Sequence, residues 1–132
     1  MIPGLALSLV VGSAIEAPAP NYAARLRAAT AWIDRQQLPD GAILYGTSQI
    51  EPYYANIAAT GLCAQPGQLP HVRAWMNWYV THLNARDRWG LSGTVYDYRY
   101  AHGVETSLRR ADSVDSYAAT FFTLARTLYD TH

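Results

Sequence analysis

Apolar positions recur with a helical period in four places along the chain, and the segments between them carry most of the polar and aromatic chemistry. From Asn21, a residue suited to cap a helix start, the run YAARLRAATAWIDRQQ sets Tyr22, Leu26, Ala29 and Ile33 on one stripe, with Arg25, Arg27, Asp34 and Arg35 mostly elsewhere. This predicts an amphipathic, outer-type helix stopped by Pro39, Asp40 and Gly41. A second helix is expected from near Glu51, because Pro52 suits the first helical position. Its continuation YYANIAATGLCA is apolar nearly all round, which predicts burial on several sides. After a connection marked by Gly67 and Pro70, Val72, Trp75, Met76, Tyr79, Val80 and Leu83 follow the i, i+3, i+4, i+7, i+8, i+11 pattern of a third helix. The fourth starts around Asp112 or Ser113 and carries Val114, Tyr117, Ala118, Phe121, Ala125 and Leu128 on one stripe, widened by Phe122 and Leu124, so it too is expected to be largely buried. The pattern predicts an all-α fold.

Between the last two helices lies a long polar and aromatic loop, WGLSGTVYDYRYAHGVETSLRRADSVD, from Trp89 to Asp115. Helix-to-helix connections usually run ~2 to 8 residues, so an ordered connection of this size reads as a functional loop. Within it, residues alternate from Thr94 to Tyr100, so that Tyr96, Tyr98 and Tyr100 would share one face of an extended segment, with Asp97 and Arg99 on the other. A repeat underlies this order. IEPYYANIAATG, from Ile50, overlays VDSYAATFFTLA, from Val114, at a constant offset of 64 residues, pairing Glu51 with Asp115, Tyr53 with Tyr117 and Ala55 with Ala119. Earlier in each unit, Trp32 pairs with Trp78 at an offset of 46. Each unit is an amphipathic helix, a loop and a buried helix, which predicts two stacked α-hairpins. Helical repeats normally need ~3 or more units to bury their faces, so two leave apolar surface unmatched.

Length and composition narrow the picture further. The chain has 132 residues, 50% of them hydrophobic and 15% charged, enough for a packed core in a single helical domain over residues 21–132. Ten basic residues balance ten acidic ones, so no basic field marks a nucleic-acid partner. The single Cys63 forbids an intrachain disulfide and reads as a small buried hydrophobe. Ten Tyr and four Trp supply stacking faces with a polar edge, which suits carbohydrate best. Residues 1–20 stand apart. The run MIPGLALSLVVGSAI is shorter than the ~20 residues a membrane-spanning helix needs. Gly12-Ser13-Ala14 followed by EAPAP resembles a signal-peptidase site, which predicts a secreted or periplasmic protein. Against this, no Lys or Arg precedes the run and Pro3 interrupts it, leaving the alternative of a buried or frayed segment in a cytoplasmic protein.

The hairpin repeat, the loop WGLSGTVYDY and the helix start DSVDSYAATF together resemble the six-hairpin glycosidase-like proteins, the (α/α)6 toroids, over residues 22–130. The resemblance implies an incomplete ring with two of the six hairpins, in which helices one and three are outer and helices two and four inner. It places the substrate cleft at one mouth, built from loops leading into the inner helices, and so implies Trp89, Tyr96, Asp97, Tyr98, Asp112 and Asp115 near that mouth, joined by Glu51 and Tyr53. Families with this toroid include hydrolases, lyases, epimerases and members of no known activity.

Glycoside hydrolysis uses two carboxyl groups, one protonated and one ionised, ~5 to 9.5 Å apart. The expected catalytic acids are Asp97, Asp115 and Glu51, and the expected substrate contacts are Trp89, Tyr96, Tyr98, Tyr53 and Asp112. For Glu51 and Asp115, capping a helix start is the simpler role. Asp97, flanked by tyrosines and free of any capping task, is the first choice for an acid that touches sugar. Trp89 is a ligand platform or a packing residue, whereas Trp32, Trp75 and Trp78 read as packing. His71, His82, His102 and His132 show no metal-ligand spacing with Cys63 or the acids, and His102 with Glu105 reads as solvated surface, so neither metal nor cofactor is expected. Two functions remain in competition: a carbohydrate-active protein, binding or hydrolysing an oligosaccharide or polysaccharide, and a non-catalytic helical-hairpin module that packs on a partner or on itself.

Overall fold

The computed structural model describes residues 21–132, so the expected export segment lies outside the described residues. In order come α1 (Tyr22–Gln36), β1 (Gln49–Ile50), α2 (Pro52–Leu62), α3 (Leu69–Thr81), β2 (Tyr98–Ala101), β3 (Val104–Ser107) and α4 (Val114–Thr131). All four expected helices are present, and their starts follow the chemistry of the chain. The Asn21 side chain accepts a hydrogen bond from the Ala24 amide at 3.0 Å, Pro52 occupies the first position of α2, and Ser113 caps α4 by accepting from the Ser116 amide.

The expectation of an all-α fold is corrected: the segment read as a loop contains a β-hairpin, and the fold is mixed. The strands form one antiparallel sheet in the order β1-β2-β3, with Ile50 opposite Tyr98 in one register and Arg99 opposite Thr106 in the other. The turn between β2 and β3 is only His102-Gly103, both with positive φ (53° and 79°), the geometry whose twist matches antiparallel strands. The alternating tyrosines then commit β2 to one buried face, and Val104 and Thr106 supply β-branched residues to β3.

The core lies where α2, α3 and α4 meet the sheet. Trp75, Ile50, Leu62, Leu124, Val72 and Val95 are fully buried, each side chain contributing ~1.5 to 3 kcal/mol by leaving water. Trp75 stacks on Trp78, and Tyr79 stacks on Phe121 with ring centroids 4.0 Å apart. Burial is more one-sided than the apolar patterns predict. Helix α2 buries Ala55, Asn56, Ala59 and Leu62 but exposes Tyr53, Tyr54 and Ile57. Helix α4 buries only Tyr117 and Leu124, leaving Phe122 73% exposed, and Val80 and Leu83 of the third stripe are also exposed. The described chain puts neighbours against one side of these helices, so the other apolar side faces outward.

A buried amide joins three helices. Asn56 Nδ2 donates to the Tyr117 carbonyl (3.0 Å) and to Thr120 Oγ1 (2.9 Å), while its Oδ1 accepts from Trp75 Nε1 (2.9 Å). Asn56 and Thr120 occupy equivalent positions of the repeat, and further along the same two helices the His132 ring lies 3.0 Å from the Cys63 carbonyl. The contacts advance in the same direction on both chains, so α2 and α4 lie side by side and parallel. The earlier repeat pair is not equivalent in environment: Trp78 is buried, whereas Trp32 is half exposed.

Among the described residues, helix α1 has no buried residue; Ile33 packs against the core, and polar bonds near its C-terminal end add to its attachment. Gln37 Nε2 donates to the carbonyls of Gly41 and His71, and Gln68 Nε2 donates to Asp34. The turn after α1 presses on α3 at Gly41 (φ 102°), where an added Cβ would lie 2.3 Å from the Ala74 carbonyl oxygen. Among the described residues, no helix is long and apolar enough to cross a membrane.

Candidate functional site

Because α2 and α4 run parallel, their N-termini open at the same end of the molecule, and a narrow cleft of about 140 Å³ separates them. Glu51, Tyr53 and Tyr54 line it from the start of α2, and Asp112, Ser116 and Tyr117 from the start of α4. Asp112 and Ser113 also border a shallower depression of about 350 Å³, which runs under Trp89 and Leu91 and past Asp115. The two hollows share a wall, so Glu51, Tyr53, Trp89, Asp112 and Asp115 come together along one continuous surface.

Asp97 lies beneath this surface, only 3% exposed. Tyr117 Oη donates to Asp97 Oδ1 at 2.6 Å and accepts from the Asp112 amide at 3.1 Å, so one hydroxyl ties the buried acid to the cleft wall. The Asp97 backbone is fixed as well: its amide donates to the Arg110 carbonyl and its carbonyl accepts from Leu108. The Arg110 guanidinium stands 3.9 Å from Asp97 Oδ2, an ion pair too long for a hydrogen bond.

These surroundings bias the acids. Burial pushes the Asp97 carboxyl above the usual carboxylate range, opposed by the Tyr117 hydrogen bond, reinforced by the charge of Asp112 and opposed again by Arg110. Glu51 is also pushed up, first by partial burial and then by the negative charges of Asp97 and Asp112, with Arg110 acting against them. Tyr117 holds its proton firmly, since burial and its bond to Asp97 both disfavour the phenolate. The arrangement therefore offers a carboxyl group in a cleft that keeps its proton to higher pH than a free glutamate does.

The loop carrying Trp89 is ordered by Asp87, which sequence reading missed. Its buried carboxylate accepts from the Trp89 and Leu91 amides and from Thr94 Oγ1, closing a tight turn through Gly90. Burial works against ionisation there, but the bonds from Leu91, Thr94, Trp89 and Gly90 outweigh it and hold the carboxyl low. The legible signal was the Asp-x-x-Gly spacing typical of a turn. Trp89 itself is 50% exposed, with the Arg88 guanidinium 5.2 Å from its ring centroid.

The other expected contacts are placed differently. Tyr96 is buried, and its hydroxyl accepts from the Arg88 amide. Tyr98 packs edge-on against Trp78 and His82, with centroids 5.4 and 5.1 Å away. Among the described residues, neither lines the cleft or the depression beside it, because the strand's buried face turns Tyr98 toward the core. In their place Tyr54, stacked on Tyr45 at 4.5 Å, joins Tyr53 at the cleft. Glu105 is not the solvated partner of His102: both its oxygens accept from Trp78 Nε1, and His82 stands 3.5 Å away. Among the described residues, no group of three His, Cys, Asp or Glu side chains is placed to hold a metal ion.

No protein-family model, curated protein or solved structure matches the chain at the significance required.

Proposed function

We propose that the chain is a carbohydrate-active protein that holds an oligosaccharide or polysaccharide along the joined hollows, and that hydrolysis of a glycosidic bond is the reaction its acids suit. The observation that carries this reading is the placement of Glu51, an acid biased toward its protonated form, in one narrow cleft with Asp112 and Tyr53, beside the exposed indole of Trp89. Glu51 would protonate the leaving oxygen, and Asp112 would act as the base or nucleophile. Asp97 would act from below by keeping Glu51 protonated, and Asp115 would stand at the rim. The parallel pairing of α2 and α4 supports their reading as inner helices of an incomplete toroid, and residues 1–20 would direct export.

The test is oligosaccharide binding and turnover by the full chain. Trp89→Ala should weaken binding roughly tenfold, about the worth of one lost aromatic stacking contact, with helicity intact. Glu51→Gln should retain binding and lose turnover. Unchanged binding in the first variant together with unchanged turnover in the second would overturn the reading. A second reading, a non-catalytic module that packs on a partner or on itself, draws on the exposed Ile57, Phe122 and Tyr129. Sedimentation showing concentration-dependent assembly, abolished by Phe122→Lys, would favour it.

A further inference from the structure

A separate hollow of about 400 Å³ opens on the outer face of the sheet, lined by Ser48, Gln49, Arg99, Leu108 and Arg110. Its two arginines arrive there for independent reasons. Strand alternation puts Arg99 opposite in direction to Tyr98 and Tyr100, whose rings pack on the core, and sets it across from Gln49 on β1 and Thr106 on β3. Arg110 comes from the segment after β3, held by the bond from the Asp97 amide to its carbonyl, and its side chain is 60% exposed. Arg110 reaches Asp97 only at 3.9 Å. Among the described residues, Arg99 has no acidic partner and neither guanidinium donates a hydrogen bond to the protein. Among the described residues, no carboxylate lines the hollow, and Ser48 and Gln49 add neutral polar groups.

We propose that this hollow is an oxyanion subsite in which Arg99 and Arg110 together seat a carboxylate or sulfate group, and that the glycan taken by the protein is therefore an acidic one. The assignment of a glycan rests on the proposed function; the oxyanion subsite does not. Two planar guanidinium forks with uncommitted donors match the paired oxygens of a carboxylate or sulfate, and Arg does this where Lys would act only as a point charge. Position adds the link to the acids. Arg110 lines the hollow and stands 3.9 Å from Asp97, which Tyr117 of the cleft wall holds by a hydrogen bond, so the subsite lies close behind the candidate catalytic cleft, and the Arg110 charge acts against the upward shift of both Asp97 and Glu51.

The experiment is titration calorimetry on the full chain at low and moderate salt, with three probes: inorganic sulfate, a uronate-containing oligosaccharide, and a neutral oligosaccharide of equal length. Arg99→Gln, Arg110→Gln and the double variant are compared with the parent. Arg99 is exposed and makes no ion pair with a described residue, so its variant keeps the test valid even if Arg110→Gln disturbs Asp97. Sulfate and the acidic oligosaccharide should each bind the parent, weaken with salt, and lose roughly tenfold or more in affinity with Arg99→Gln, while the neutral oligosaccharide is unaffected. Sulfate binding that depends on Arg99, with no oligosaccharide binding of either kind, would support the subsite and sink the glycan reading instead. No sulfate binding to the parent, or equal affinities of sulfate and the acidic oligosaccharide for parent and double variant, would overturn the subsite.

Discussion

The Tyr117 hydroxyl bonds two aspartates at once, donating to the Asp97 carboxylate and accepting from the Asp112 backbone amide. Replacing it by Phe leaves a buried carboxylate short of a donor, which should cost ~1 to 3 kcal/mol at pH 7. Urea denaturation should show that loss shrinking as the pH falls and Asp97 takes up its proton. The same logic sets a wider pH dependence. Both Glu51 and Asp97 have folded-state carboxyls raised above their ordinary values, so their contribution to stability is fully present below about pH 4 and is lost as the pH rises through the raised values. Glu51→Gln should therefore melt higher than the parent at pH 7 and match it below about pH 4; a lower melting temperature at pH 7 would show that the Glu51 charge stabilises the start of α2, where its side chain makes no capping hydrogen bond. At this scale the sequence exposed Glu51, Tyr53, Trp89, Asp112 and Asp115 as candidates because they stand at helix starts or in a long connection. It could not show that Asp97 is buried, since the tyrosine that covers it lies 20 residues further along the chain.

Among the elements, the helices were legible and the hairpin was not, for a physical reason. A helix of 11 to 18 residues repeats its apolar period several times, whereas β2 and β3 have four residues each and hold only two repeats of a strand's two-residue period. The turn gave a weak signal too, because His-Gly is a less favoured pair for two left-handed positions than Asn-Gly. His102→Asn should therefore stabilise the protein by a few tenths of a kcal/mol, read as a raised denaturation midpoint at unchanged slope. Gly41 shows the opposite sensitivity. Alanine there must adopt φ near 102° and push the turn away from the Ala74 carbonyl, so Gly41→Ala should cost ~2 kcal/mol or more. A loss under about 0.5 kcal/mol would mean that the turn can move off α3 freely.

For the molecule as a whole, the repeat in the sequence predicts like helices side by side, and the α2 and α4 contacts keep its register: Asn56 and Thr120, equivalent by sequence, are bonded to each other. How deeply those helices are buried was not legible, because an apolar stripe reports which face avoids water, not whether a neighbour is there to cover it. Asn56 holds three helices by one side chain, and Asn56→Ala should cost ~2 to 4 kcal/mol by orphaning Trp75 Nε1 as well as losing the bonds to α4. Helix α1 shares none of this. Anchored near its last turn by Gln37, Asp34 and Ile33, it is expected to open while the rest stays closed. Its amides from Leu26 onward should trade hydrogen for deuterium through small openings that denaturant barely accelerates, whereas those of Ala59 and Leu62 should wait for the whole domain to unfold.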